Sequence, residues 1–152
     1  MEGVFPEGNA NGSRFMEAVV AETTPEWDDL NDGKGYKWCV GVGARTKVST
    51  SNKIGSGQTN TDNMVKNCTS GAANSVRAYT GGGLTAGRWS LPSKDELTQT
   101  MKVRGVFGLH LTSNQGNTPL TAWVRARDTE IFFATDNLSS LDLAAVRSVR
   151  AF

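Results

Sequence analysis

The chain has 152 residues, with 16 basic and 15 acidic side chains and a formal net charge of +1. This length fits one ordinary domain that can bury a core, and the balanced charge favours neither a nucleic-acid nor a membrane-surface partner. No apolar run approaches the roughly 18 residues of a membrane helix. The 17 glycines and the abundant Ser, Thr and Asn favour short strands and many turns over a helical bundle.

The first part of the chain is predicted to form two short strands joined by polar loops. Residues 13–22 carry apolar side chains on both faces, which a strand inside a sheet tolerates. Residues 36–43 are predicted to form the second strand, and Trp27 in the intervening loop is a candidate core residue. A long loop is expected from residue 44 to residue 60.

The two cysteines, Cys39 and Cys68, cannot form a four-ligand zinc site, and the single His110 adds little. Two interpretations stay open, a disulfide or a pair of buried thiols. A disulfide would stabilise the fold by about 3 kcal/mol through restriction of the unfolded chain. His110 has no partners in a nucleophile pattern, so we expect no catalytic role for it.

Residues 61–79 change to a helical period. One apolar stripe is formed by residues four positions apart: Met64, Cys68, Ala72 and Val76. Asn60 or Thr61 is predicted to cap the start of this helix, and Gly71 to kink it or divide it into two short helices. The preceding GSGQTN, residues 55–60, is either a turn with a helix cap or an anion site built from exposed amides.

The segment RWSLPSKDELTQ, residues 88–99, marks a junction between a strand and a helix. Ser93 and Glu96 have the spacing of a capping box, in which each side chain accepts a hydrogen bond from the other residue's backbone N–H. Pro92 disfavours helix at the residue before it. Leu97 and Met101 are expected to face the core. A capped structural corner is therefore predicted here, not a catalytic site.

The last third of the chain is predicted to be mainly strands, at residues 106–113, 121–128, 130–136 and 144–152. The second and third form a hairpin around residues 128–130. One face of this hairpin is apolar and expected to point inward: Ala122, Val124 and Ala126. The other face carries an aromatic ring between two cations, suited to stacking on a ligand or a neighbouring subunit: Trp123, Arg125 and Arg127.

These segments together resemble a known family. The strings IGSGQTNTDNMV, CTSGAANSVRAYTGGG, WSLPSKDEL, AWVRARDTEIFFA and VRSVRAF stand in the order found in the C-terminal domain family of the Legionella collagen-like adhesin. The resemblance covers nearly the whole chain. It implies a single C-type-lectin-like α+β domain over residues 1–152, with two helical elements packed on short, twisted, mainly antiparallel sheets. Where the family usually has WSSSE, this chain has LTSNQ at 111–115, so no particular ligand carries over.

The resemblance implies a non-enzymatic recognition or adhesion module that binds glycans and forms trimers. The N-terminus shows no signal peptide, so we expect a phage virion protein, such as a fibre tip or capsid decoration, on the virion surface. We expect no cofactor, no metal, no nucleic-acid partner and no membrane insertion. The alternative is a purely structural virion protein whose same face contacts identical subunits or other virion proteins, because Ile131, Phe132 and Phe133 exceed what one buried face needs.

Two sets of residues are assigned roles on this basis. The expected ligand-binding residues are Asn114, Gln115, Asn117, Trp123, Arg125, Arg127, Asp136 and Asn137. The expected structural residues are Cys39, Cys68, Ser93, Glu96, Arg147 and Arg150. The two arginines of the second set are expected to pair with carboxylates such as Asp95 or Asp142.

Overall fold

The computed structural model describes residues 2–4, 15–18, 37–41, 46–103, 109–126, 129–134 and 144–151. Within these ranges the chain forms an α+β domain with three α-helices. The strands are β1 (Glu2–Val4), β2 (Phe15–Ala18), β3 (Leu109–Gln115), β4 (Thr121–Ala126), β5 (Thr129–Ala134), β6 (Ala144–Ala145) and β7 (Val149–Ala151). The helices are α1 (Gly57–Asn67), α2 (Ala72–Ala78) and α3 (Lys94–Val103), with a short 3-10 helix at Gly81–Gly83.

The strands form two small sheets. One has the order β1-β2-β7 and is antiparallel, and the other has the order β5-β4-β3-β6. The second sheet is antiparallel except where β3 runs parallel to β6. The predicted α+β class with mainly antiparallel sheets is confirmed at this level. The β4–β5 hairpin is also confirmed, with Ala126 opposite Thr129 at its closed end.

The C-terminal segment differs from the single strand predicted over residues 144–152. β6 pairs with β3 in the four-stranded sheet, whereas β7 pairs with β2 in the other sheet. Residues 146–148 lie between the two strands and are buried. The chain therefore crosses from one sheet to the other here. The alternation of residues in the sequence cannot show with which strand each half of this segment pairs.

The segment 36–43 was predicted to be a strand, which is wrong for its described part, residues 37–41. There the backbone makes one isolated bridge, in which Val40 N–H donates to Ser70 O over 2.9 Å. Cys39 is bonded to Cys68 with a Cα–Cα distance of 5.3 Å, and Trp38 is fully buried. This segment is held by tertiary contacts and does not belong to a ladder of backbone hydrogen bonds.

The helical segment is divided at Gly71 into two short helices, which is one of the two predicted alternatives, the other being a single kinked helix. α1 ends at Asn67, α2 begins at Ala72, and Gly71 between them has a φ of 128°. A Cβ at Gly71 would lie 2.9 Å from the carbonyl oxygen of Trp38. Glycine is required here both for the backbone conformation and for the close approach of the 37–41 segment.

The predicted cap of α1 is wrong. The helix begins at Gly57, and Ser56 holds the cap position without a side-chain cap hydrogen bond. Asn60 and Thr61 lie inside the helix and are buried. Their side chains bond to other segments, since Asn60 Oδ1 accepts from Ser51 N–H over 2.8 Å and Thr61 Oγ1 accepts from Leu91 N–H over 2.9 Å.

One apolar cluster between the helices and the four-stranded sheet forms the core. All four residues of the predicted helical stripe are buried in it. Trp89 is also buried, and its ring packs at a tilt against Tyr79 with 6.0 Å between centroids. Leu97 is buried as predicted, whereas Met101 is only partly buried. No described helix is both long and apolar enough to cross a membrane.

The predicted corner at residues 92–96 is present. Ser93 N–H donates to Glu96 Oε2 over 2.7 Å, and Glu96 N–H donates to Ser93 Oγ over 3.3 Å. Just before it, Ser90 exchanges two backbone hydrogen bonds of 2.8 Å with Val149 of β7. Ser113 N–H of β3 donates to Pro92 O over 2.7 Å. The corner therefore joins α3 to both sheets.

Candidate recognition surface

β4 presents different side chains on its two faces, as its sequence predicts. Ala122 and Val124 are fully buried in the core cluster, whereas the alternate residues Trp123 and Arg125 are partly exposed. Ala126 was also predicted to point inward, but its side chain lies outside the described residues. Arg127 lies outside them entirely. Trp123 and Arg125 thus lie on the face of β4 that turns away from the core.

The Trp123 ring is covered by a lysine. Lys94 Nζ lies 3.8 Å from the centroid of the ring, well within the roughly 6 Å range of a cation–π contact. The backbone of Trp123 is held by Thr112, whose Oγ1 donates to Trp123 O over 2.8 Å. A cleft lined by these residues with Val124 and Arg125 is too narrow to admit a water molecule.

We define the Trp123 surface as Lys94, Trp123 and Arg125. It joins the first residue of α3 to the outer face of β4, so it depends on the corner that positions α3. Lys94 was not among the expected binding residues. The only sequence signal was its place directly after the capping serine, which predicts that it starts the helix but not that it reaches the ring.

Asn114 and Gln115 were expected to contact a ligand, but the structure buries them, with 1% and 7% of their surfaces exposed. Asn114 Oδ1 accepts from Lys94 N–H over 2.8 Å. Gln115 Oε1 accepts from Val48 N–H over 2.8 Å, and its Nε2 donates to Thr46 O over 2.9 Å. Both side-chain amides thus form hydrogen bonds to backbone groups in the interior, and they are not part of an exposed surface.

The register between β3 and β4 explains why these positions are misjudged. Leu111 lies opposite Val124, but the register shifts between Leu111 and Gln115. At such an irregularity successive side chains need not alternate between faces. Several consecutive polar residues of β3 are consequently buried: Thr112, Ser113, Asn114 and Gln115.

The remaining expected binding residues are distributed differently. Asn117 is exposed in the connection between β3 and β4. This connection is closed by Thr121, whose N–H donates to Thr118 O over 3.2 Å. Asp136 and Asn137 lie outside the described residues.

The glycine-rich loop before α1 holds an internal carboxylate. Gly55 N–H donates to Glu96 Oε1 over 2.9 Å, and the backbone of Gly57 also bonds to Glu96. Burial raises the pKa of Glu96, although these bonds and those from Ser93 act in the opposite direction. The amides that the sequence offered to an external anion are therefore used by the protein's own side chain.

The arginines expected to be structural have the following positions. Arg150 of β7 pairs with Glu17 of β2, its Nε donating to Glu17 Oε2 over 3.0 Å, a carboxylate that was not among the expected partners. Asp95 is exposed, and Asp142 is outside the described residues. Arg147 is buried.

One structural arginine was missed by the sequence analysis. Arg77 of α2 donates to Gly87 O over 2.7 Å, to Trp89 O over 2.9 Å and to Asp62 of α1. It thereby ties both helices of the divided segment to residues 87–89, just before the corner. No local pattern distinguishes it from the other arginines, because only the folded chain brings together its partners, which are carbonyl oxygens and the Asp62 carboxylate.

The titratable side chains in the described part of the chain do not group into a metal site. His110 is buried in β3, and no group of three or more His, Cys, Asp or Glu side chains among the described residues could hold a metal ion. Comparison of the chain with protein-family models, curated proteins and solved structures found no match. The resemblance to the adhesin family therefore stays a prediction from the sequence.

Proposed function

We propose that this protein is a non-enzymatic recognition or adhesion module of C-type-lectin-like fold that binds host-surface glycans, displayed on a phage virion as a fibre tip or capsid decoration. The observation that carries the proposal is the partly exposed Trp123 beside Arg125 on the outer face of β4. An indole ring presents a flat apolar face to the C–H groups of a sugar, and a guanidinium offers several hydrogen-bond donors to hydroxyl oxygens.

The support beneath this surface is rigid, which lowers the entropic cost of binding. Val124 and Ala122 fix β4 to the core, and Thr112 holds the backbone of Trp123. Such a surface needs no metal. It suits a polyhydroxylated ligand that combines an apolar face with many oxygen acceptors.

A glycan array probed with the purified domain tests this proposal. We expect binding to a subset of glycans, and we expect the double substitution Trp123→Ala with Arg125→Ala to abolish it. Gln58→Ala, an exposed position on α1, is the matched control and should leave binding intact. Binding that survives the double substitution would refute this site.

A second candidate is a structural virion protein that forms trimers through the same face. Phe132 of β5 is the register partner of Trp123 in the β4–β5 pair. Aromatic residues at paired positions of two strands favour a subunit contact. Light scattering at micromolar concentration should then give three times the chain mass, and Phe132→Asp should give monomers.

A further inference from the structure

The irregularity in β3, residues 112–114, lies beside Trp123. The register between β3 and β4 shifts between Leu111 and Gln115, so these residues of β3 stand opposite the single residue Trp123 of β4. An insertion of this kind interrupts the ladder of backbone hydrogen bonds, can redirect a side chain and is frequent next to functional sites. The strand that carries the tryptophan therefore needs another attachment to β3 at this point.

A side chain provides this attachment. Thr112 Oγ1 donates to Trp123 O over 2.8 Å and accepts from Asn114 N–H over 3.2 Å, so the hydroxyl uses both its donor and an acceptor position. Only 1% of the Thr112 surface is exposed, and its carbonyl oxygen accepts from Trp38 Nε1 over 2.8 Å. The backbone of Trp123 is thus attached, through one buried residue, to the core.

The other two residues of the irregularity bond to the corner before α3. Ser113 N–H donates to Pro92 O over 2.7 Å, and Asn114 Oδ1 accepts from Lys94 N–H over 2.8 Å. The irregularity therefore connects the start of α3 to the backbone of β4. Its bonds to Lys94 and Trp123 use the backbone of both residues and come in addition to the other interactions that each of them makes.

We propose that Thr112 is a positioning residue of the Trp123 surface, because its hydroxyl fixes the backbone from which the indole ring extends. This inference rests on the proposed glycan-binding function. Valine has nearly the shape of threonine but can neither donate nor accept a hydrogen bond, so Thr112→Val removes the bonds from residue 112 to Trp123 O and Asn114 N–H. Serine keeps the hydroxyl and loses only a methyl group.

The positioning can be measured without a ligand. The carbonyl carbon resonance of Trp123 reports the hydrogen bond to its oxygen, and the indole N–H resonance reports the surroundings of the ring. In NMR spectra of the unliganded protein, we expect Thr112→Val to move both resonances and Thr112→Ser to return them close to their original positions. Thr112→Ala lacks the hydroxyl without adding bulk, and it serves if the valine variant does not fold. An indole resonance that stays in place without the hydroxyl would overturn the inference, whatever a glycan array shows.

Affinity is tested with methyl glycosides of glucose, galactose and mannose, titrated into the protein while the Trp123 indole N–H is followed by NMR. We expect Thr112→Val to bind the preferred glycoside about two- to tenfold more weakly than the unsubstituted chain, which is the effect of one hydrogen bond. Thr112→Ser should restore most of the affinity.

A matched control separates positioning from a general loss of stability. The hydroxyl of Thr61 is buried in α1, accepts from Leu91 N–H over 2.9 Å and donates to Gly57 O over 2.7 Å. It therefore has the same two roles as the Thr112 hydroxyl. We expect Thr61→Val to lower the free energy of unfolding in urea but to leave the affinity unchanged.

Unchanged affinity in Thr112→Val, or equal losses of affinity in Thr112→Val and Thr61→Val, would overturn the inference, since the hydroxyl would then have no role beyond stability. Failure of the proposed function gives a different result. In that case the array shows no binding that depends on Trp123 and Arg125, and the resonances of Trp123 still decide whether Thr112 positions the ring.

Discussion

The carboxylate of Glu96 accepts hydrogen bonds from the backbone of Ser93, Gly55 and Gly57. It closes the capping box of α3 and also binds the loop that leads into α1, so one side chain fixes the relation between two helices. A charged group in this position loses its hydration, and burial raises its pKa even though hydrogen bonds from Ser93, Gly55 and Gly57 favour the charged form. Both a pH effect and a steric requirement follow from this arrangement.

The pH effect concerns the free energy of unfolding. Because the pKa of Glu96 is raised in the folded state, that state holds the proton more tightly than the unfolded chain does. Stability is therefore lost as the pH rises from the ordinary value of 4.5 through the raised pKa. We expect the stability of the unsubstituted protein minus that of Glu96→Gln to fall as the pH rises above 4.5, measured by urea unfolding. A difference that grows with pH would mean that the hydrogen bonds outweigh desolvation.

The steric requirement concerns Gly57. A Cβ there would lie 2.2 Å from Glu96 Oε2 and 2.8 Å from the backbone oxygen of Leu91. Alanine is the better helix former by about 1 kcal/mol, but overpacking at such distances costs about 1–3 kcal/mol and also disturbs the carboxylate. We expect Gly57→Ala to lower the free energy of unfolding, with Gln58→Ala near neutral as control. A stabilised Gly57→Ala variant would contradict this placement of Glu96.

At the scale of elements, short segments are held by cross-links more than by their own regularity. The 37–41 segment has one backbone bridge, yet it contributes Trp38 and half of the disulfide to the core. α2 has seven residues, which is too short for a helix to be stable alone, and Arg77 ties it to α1 and to residues 87–89. These elements depend on tertiary contacts for their stability.

The disulfide gives the element-scale prediction. Cys39 and Cys68 are 29 positions apart in the chain, and a loop of that size restricts the unfolded state by about 3–4 kcal/mol on the entropic model. We expect the double variant Cys39→Ala with Cys68→Ala to lose about 2–4 kcal/mol in urea unfolding. Reductant should destabilise the unsubstituted protein to a similar degree and leave the double variant unaffected. Insensitivity of both proteins to reductant would show that the thiols are not bonded.

At the scale of the whole molecule, Thr112 connects the core to the Trp123 surface. Its carbonyl oxygen accepts from Trp38 Nε1 over 2.8 Å, while its hydroxyl donates to Trp123 O over 2.8 Å. One tryptophan lies beneath the sheet and the other on its outer face. The first is buried in the core and the second is partly exposed, so truncation of each ring should change the free energy of unfolding by a different amount.

We expect Trp38→Ala to cost about 3–5 kcal/mol, the range for deletion of a large buried ring. Trp123→Ala should cost clearly less, because its ring is partly exposed and its backbone bond to Thr112 does not need the side chain. Urea unfolding followed by far-UV circular dichroism measures both. Equal losses would mean that Trp123 belongs to the core and is not a surface residue.

Local patterns in the sequence were sufficient for several elements. The capping box at Ser93 and Glu96 gave the start of α3, and the four-residue stripe with Gly71 gave a divided helix. Alternation along β4 separated Trp123 from Val124 correctly. These features are decided by interactions between residues one to four positions apart, which is why a sequence can specify them.

Only the tertiary structure decided which polar side chains are buried. Asn60, Thr61, Asn114 and Gln115 resemble surface or capping residues by composition, yet each bonds to a backbone group in another segment. The shift of register in β3, the crossing between β6 and β7, and the place of Lys94 over the Trp123 ring have the same origin. Each depends on a partner far away in the chain, and local propensity carries no information about where such a partner will lie.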